Sequence, residues 1–207
     1  MKLKVCGLKK RENIIEVLTY KPHFIGFIFY DKSLRYIGEE LESGFIQNIS
    51  TSKKVGVFVN ESEIKMLDIA SRYGLDYLQL HGNETAEFCK QVQKSIPVIK
   101  AFQIDEDFDF SVLKEYENAC TYFLFDSKSK QYGGSGETFN WKKLKEYKLD
   151  KPFFLSGGID LDNVEQVLLL KSKFTNLCAV DVNSKFETEP GIKDVSKIKL
   201  LSNKIYK

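Results

Sequence analysis

Eight short runs of β-branched, aromatic and aliphatic residues recur along the 207-residue chain, and their rhythm restricts the folds open to it. They are Leu3 to Val5, Phe24 to Phe29, Val55 to Val59, Tyr77 to Leu80, Val98 to Ala101, Tyr122 to Phe125, Phe153 to Leu155 and Leu177 to Val182. Their starts lie roughly 20 to 31 residues apart, room for one helix and two loops in each interval. The intervals carry helical periodicity: Ile14, Val17 and Leu18 share one face of the first helix, and Val164, Val167 and Leu168 one face of the seventh. Val195, Ile198 and Leu200 onward supply the eighth, and Asn60 followed by Glu63 reads as a variant capping box opening the third. Continuous apolar strands alternating with helices argue for a parallel sheet. An open doubly wound sheet usually has about five or six strands, so eight units favour closure. The expected architecture is α/β: a compact, single (βα)8 TIM barrel domain over residues 1–207. Such barrels typically run to about 250 residues, so the loops must be lean.

Barrels of this kind do their chemistry at the C-terminal ends of the strands. Those positions hold Cys6, Tyr30 to Arg35, Asn60, His81, Gln103, Asp126, Ser156 to Gly158 and Asp181 to Ser184. The stretch Phe153-Phe154-Leu155-Ser156-Gly157-Gly158-Ile159-Asp160 is the most telling of them: a buried strand breaks into paired glycines and then a helix start expected near Asp160. That pattern delivers a phosphate onto helix N-terminal amides. Cys6 is a plausible base if local dipoles or cations favour the thiolate, although a buried structural thiol is the commoner fate of such a residue. Asp126 follows the apolar Tyr122-Phe123-Leu124-Phe125, where a carboxyl can hold its proton and act as a general acid; a loop cap is the alternative. Arg35 can grip a carboxylate with two parallel hydrogen bonds, or simply be solvated. His81 is either a site residue or a hydrogen-bonded strand-end histidine. The Gly133-Gly134-Ser135-Gly136 segment is either a flexible connector or a lid with approachable amides.

Composition narrows the partners. A net charge of +2 argues against nucleic acid as the main partner. No apolar run approaches the 18 or so residues of a membrane span, and Met1 to Val5 enters a strand with no signal-peptide core. The expectation is a cytoplasmic protein acting on a small phosphorylated molecule, with no membrane partner. Cys6, Cys89, Cys120 and Cys178 are widely spaced and only two histidines occur, so neither a metal site nor a disulfide framework is expected.

Several segments together resemble the phosphoribosylanthranilate isomerase family. Lys4-Val5-Cys6-Gly7-Leu8 resembles its opening K-[IV]-C-G-[LI]. Gly26-Phe27-Ile28-Phe29 with Ser33 and Arg35 resembles its second-strand G-F-x-F followed by S-x-R. Gln79-Leu80-His81-Gly82 resembles Q-L-H-G. Phe125-Asp126-Ser127 with Gly133 to Gly136 and Phe139-Asn140-Trp141 resembles F-D-[ST]…G-G-[ST]-G-x-x-F-[DN]-W, and Pro190-Gly191-Ile192-Lys193-Asp194 resembles P-G-x-K-D. The resemblance implies an Amadori rearrangement of N-(5'-phosphoribosyl)anthranilate in tryptophan biosynthesis, without cofactor or metal. Asp126 would be its acid and Cys6 its base. Arg35 would hold the anthranilate carboxylate, with His81, Gly133, Gly134 and Asp181 completing the substrate contacts. Gly157, Gly158, Asn183 and Ser184 would surround the phosphate. One departure stands out: the family's D-V-S-S-G ending of the eighth strand is here Asp181-Val182-Asn183-Ser184-Lys185, with Lys185 in place of a glycine.

Other readings are weaker. A metal-dependent epimerase wants more histidines than this chain has, and a histidine-pathway isomerase would be expected to carry Asp where Cys6 stands. A catalytically silent phosphometabolite-binding barrel would have lost Cys6 or Asp126.

Overall fold

The computed structural model describes residues 1–38, 41–127 and 138–206. Eight parallel strands close in sequence order: β1 (Lys2–Val5), β2 (Phe24–Ile28), β3 (Lys53–Phe58), β4 (Tyr77–Leu80), β5 (Val98–Ile104), β6 (Tyr122–Ser127), β7 (Phe153–Leu155) and β8 (Leu177–Val182). The seam is the β8–β1 pair, where Lys4 sits opposite Asp181 and Val5 opposite Val182. Outside the barrel lie α1 (Arg11–Leu18), α2 (Ser43–Gln47), α3 (Glu63–Tyr73), α4 (Ala86–Gln93), α5 (Val164–Lys173) and α6 (Val195–Ile205). A small antiparallel hairpin, β9 (Glu187–Glu189) and β10 (Ile192–Lys193), interrupts the passage from β8 to α6. None of the described helices is long and apolar enough to cross a membrane.

The barrel expectation holds; its helical ring is less regular than expected. After β5 and β6 the chain forms 3-10 turns, Phe110–Tyr116 and Trp141–Glu146, instead of α-helices. The inward residues explain the substitution. Phe110, Leu113 and Tyr116 recur at intervals of three, as do Trp141, Leu144 and Tyr147. Side chains three apart eclipse on a 3-10 turn, so this spacing keeps one apolar face on the barrel. The capping box expected at Asn60 does not form: Ser62 precedes α3, while Asn60, at φ 52°, accepts a hydrogen bond from the Asn83 amide at 2.7 Å. In α6 it is Leu201 that is buried, and Leu200 points outward.

Strand alternation separates two cores. Side chains such as Leu3, Val5, Ile25, Phe27, Leu78 and Phe123 face outward and pack with Ile14, Val17, Val92, Val164, Val167 and Ile198 of the helices. Every second residue turns into the barrel, where Phe24, Val55, Ile99, Ala101, Leu124, Phe154 and Ala179 form their own cluster. The ring of Phe154 meets Phe24 at 5.1 Å and Tyr122 at 5.2 Å between centroids. This apolar plug fills the lower barrel and floors the polar layer above it. Phe154→Ala should therefore lower stability by about 3–5 kcal/mol in urea unfolding, whereas a loss under about 1 kcal/mol would show the plug to be loosely packed.

Candidate active site

The interior changes character one layer above the plug. Lys4, on the same face of β1 as Cys6, is fully buried, and its ammonium donates to Asp181 Oδ2 at 2.8 Å and Gln79 Oε1 at 2.9 Å. Asp181 and Gln79 are also buried. Burial alone would push the Lys4 ammonium towards its neutral form, but Asp181 and then Cys6 outweigh it and hold the value above normal. The Cys6 thiol, directly above, is raised by burial; Lys4 opposes that shift, Asp181 adds to it and Lys193 opposes it. Backbone bonds fix this end of β1: Cys6 N donates to Val182 O at 2.9 Å and Gly7 N to Gly26 O at 2.9 Å. The room for the sulfur comes from Gly26, where a Cβ would stand 2.6 Å from Cys6 Sγ.

Across the mouth, Asp126 Oδ2 lies 3.3 Å from His81 Nε2, and Asp126 Oδ1 accepts the Ser127 amide at 3.0 Å. His81 Nδ1 is 2.8 Å from Gln79 Nε2. The loop after His81 is pinned from below by a buried pair: Lys100 donates to Glu84 at 2.9 Å and Gly82 O at 2.7 Å, and Glu84 accepts the Asn60 amide at 2.8 Å. A cavity of about 510 Å³ opens beside His81 and Gln103.

Arg35 is buried at the rim and already engaged. Its Nε donates to both Glu187 oxygens at 3.0 Å, and its Nη2 to Oε2 at 2.7 Å. Glu187 also accepts from Lys193 at 2.7 Å, and Lys193 reaches Asn183 Oδ1 at the same distance. Burial works to raise the Glu187 carboxyl, but Arg35 and Lys193 together hold it below its ordinary value. Lys193, buried within this group, is lowered to about 8 by desolvation despite Glu187.

The phosphate candidates sit on adjacent strand ends. Gly157 and Gly158 have φ of 85° and 62°, and a Cβ on Gly157 would run into Ser127. Their amides have no acceptor among the described residues. The helix start expected near Asp160 lies farther on, at Val164: the Asp160 carboxylate accepts the Asp162 and Asn163 amides at 2.9 Å and holds a turn before α5. Asn183 and Ser184 open a 3-10 turn ending at Phe186. Lys185 lies within that turn, is exposed, and is not among the residues with positive φ, so the place of the family's glycine demands no left-handed backbone here.

The structure thus gathers Cys6, Arg35, His81, Asp126, Asp181 and Asn183 around one mouth, with Gly157, Gly158 and Ser184 at the neighbouring β7 and β8 ends. Gly133 and Gly134 lie outside the described residues. Sequence reasoning missed Lys4, Gln79, Glu187 and Lys193. The first two were signalled by strand parity, since they stand two residues before Cys6 and His81 and so face the same interior. Among the described residues no group of three or more His, Cys, Asp or Glu side chains is placed to hold a metal ion.

Residues 3–204 match the family model for N-(5'-phosphoribosyl)anthranilate (PRA) isomerase. A relative from Parabacteroides distasonis, named N-(5'-phosphoribosyl)anthranilate isomerase, is 45% identical over 203 residues, 96% of this chain and 90% of its own length. The crystal structure of phosphoribosyl anthranilate isomerase from Thermus thermophilus superposes with a TM-score of 0.87 at 27% identity, covering 100% of this chain and 98% of that one. A second solved phosphoribosyl anthranilate isomerase, in complex with reduced 1-(o-carboxyphenylamino)-1-deoxyribulose 5-phosphate, has a TM-score of 0.82 at 31% identity and covers 98% of this chain and 97% of that one. Fold, mouth geometry and these matches agree: the chain belongs to the N-(5'-phosphoribosyl)anthranilate isomerase family.

Proposed function

We propose that this chain carries out the Amadori rearrangement of N-(5'-phosphoribosyl)anthranilate to 1-(2-carboxyphenylamino)-1-deoxyribulose 5-phosphate, a step of tryptophan biosynthesis, with Asp126 as acid and Cys6 as base. The observation that carries the residue roles is the pair of proton-transfer groups entering one mouth from the non-adjacent strands β6 and β1, above a dry floor. Asp126 gives its proton to the ring oxygen as the C1'–O bond breaks and the nitrogen lone pair forms the C1'=N bond. Its carboxylate is then stabilised by the Ser127 amide and by His81. Cys6 thiolate takes the C2' proton; the C–H pair becomes the C1'=C2' bond, and the C=N π pair returns to nitrogen. The enolamine loses its hydroxyl proton and gains one at C1', giving the ketone. A proton leaving Cys6 and one returning to Asp126 restore both groups.

The surroundings support the substrate's placement. Asp181 Oδ1 is buried with no hydrogen-bond partner among the described residues, and a ribose hydroxyl beside Cys6 would satisfy it. Glu187 sets the plane of the Arg35 guanidinium at the rim, and Arg35 takes the anthranilate carboxylate there. The Gly157 and Gly158 amides, with Asn183 and Ser184 from the next strand, cradle the phosphate.

Freshly prepared phosphoribosylanthranilate should lose its anthranilate fluorescence when this protein is added; well-folded protein that leaves it unchanged would sink the enzyme reading. Cys6→Ala and Asp126→Asn should each reduce kcat by about 10²–10⁴ with substrate still bound, and near wild-type kcat in either would remove that residue from its role. Arg35→Ala should act mainly on KM, and an unchanged KM would argue against carboxylate recognition.

A further inference from the structure

The mechanism uses Cys6 and Asp126 but not the buried ammonium beneath them. Lys4 is donor-only, which sets the sense of each hydrogen bond leading away from it. Because Gln79 Oε1 accepts from Lys4, the Gln79 amide nitrogen must be the atom facing His81 Nδ1. That nitrogen donates, so His81 Nδ1 carries a lone pair and the ring hydrogen sits on Nε2, 3.3 Å from Asp126 Oδ2. In the other direction Lys4 stands two residues before Cys6 on the same inward face of β1, where its buried positive charge favours the thiolate over the thiol. One ammonium therefore acts on the base through its charge and reaches the acid through two oriented side chains.

Resting on the proposed roles of Cys6 and Asp126, we infer that Lys4 is a positioning residue for both: it stabilises the Cys6 thiolate and, through Gln79, fixes the His81 tautomer that donates to Asp126. The groups around Cys6 support this choice. β8 presents Asp181 and Asn183, β10 presents Lys193, the loop after β2 brings Arg35, and β2 itself offers only Gly26. Among the described residues Asp181 is the carboxylate that acts on Cys6, and Lys4 holds it at 2.8 Å. Of the two lysines that favour the thiolate, Lys193 loses its charge near pH 8, whereas Lys4 is held above its ordinary value and stays cationic. The Lys4 charge thus persists over the range in which a buried thiol must ionise.

The sign follows directly. Removing the cation raises the pH at which Cys6 ionises, so less thiolate exists at neutral pH and the deficit closes as pH rises. The experiment is the pH dependence of iodoacetamide alkylation of Cys6, with Cys6→Ala protein as the blank for Cys89, Cys120 and Cys178, alongside kcat/KM against pH. Lys4→Met should move both profiles alkaline by about one pH unit or more, an alkylation rate about tenfold lower at neutral pH. Should Lys4→Met not fold, Lys4→Met/Asp181→Asn removes the pair without stranding a buried anion, and alkylation needs no turnover; a smaller shift, still alkaline, is expected, because Asp181, which raises Cys6, goes with the cation. Unmoved alkylation midpoints in folded protein would overturn the inference, and a lower rate with the same midpoint would show Lys4 to be merely structural. Absence of wild-type turnover would instead count against the proposed reaction, since the alkylation readout is independent of it.

Discussion

Closing eight strands into a barrel forces every second side chain into a space that water does not share, and most of what this protein does follows from how that space is filled. An apolar residue there packs; a polar one must find partners or be destabilising. The lower barrel takes the first course with Phe24, Val55, Ile99, Leu124 and Phe154. The layer above takes the second, around Lys4, Asp181 and Gln79. A buried ion pair is an uncertain source of stability, but losing one partner typically costs about 3–5 kcal/mol. The pair is therefore best understood through what it does to its neighbours, Cys6 above and His81 across the barrel.

The mouth divides into two halves with different physics. On β7 and β8, glycine backbone and small polar side chains leave amides turned outward, which suits a phosphate. On β1, β4 and β6, charged and titratable groups are wired to one another before any substrate arrives. Preorganisation of this kind spares the cost of reorienting dipoles during the reaction. At the rim, Glu187 and Lys193 hold Arg35 and Asn183 in one hydrogen-bonded group, so the Arg35 side of the mouth and the end of β8 are mechanically joined.

Much of this was legible in the amino-acid order. The eight apolar runs carried the barrel, and Cys6, Asp126, His81 and Asp181 were found by asking only which residues end a strand. The spacing of Phe110, Leu113 and Tyr116 by three suits a 3-10 turn, but Ile14 and Val17 or Val164 and Val167 show the same spacing on α-helices, so residue order alone did not separate the two. Lys4 was hidden for another reason: a lysine in a strand ordinarily reads as a solvated position, and its burial makes sense only once β8 brings Asp181 beside it. Glu187 could not be inferred from any local pattern. It meets Arg35 across 152 positions of sequence, from the first residue of β9, where pairing with β10 sets it opposite Lys193.

The central claim is that a donor-only ammonium directs the polar chain that ends at Asp126. Nitrogen NMR of the histidine rings tests it directly, because the chain has only His23 and His81 and a His81→Gln spectrum assigns them. In the resting enzyme His81 should be a neutral ring with its hydrogen on Nε2 and a bare, hydrogen-bonded Nδ1. A ring protonated on Nδ1, whether as the opposite tautomer or as an imidazolium, would contradict the account.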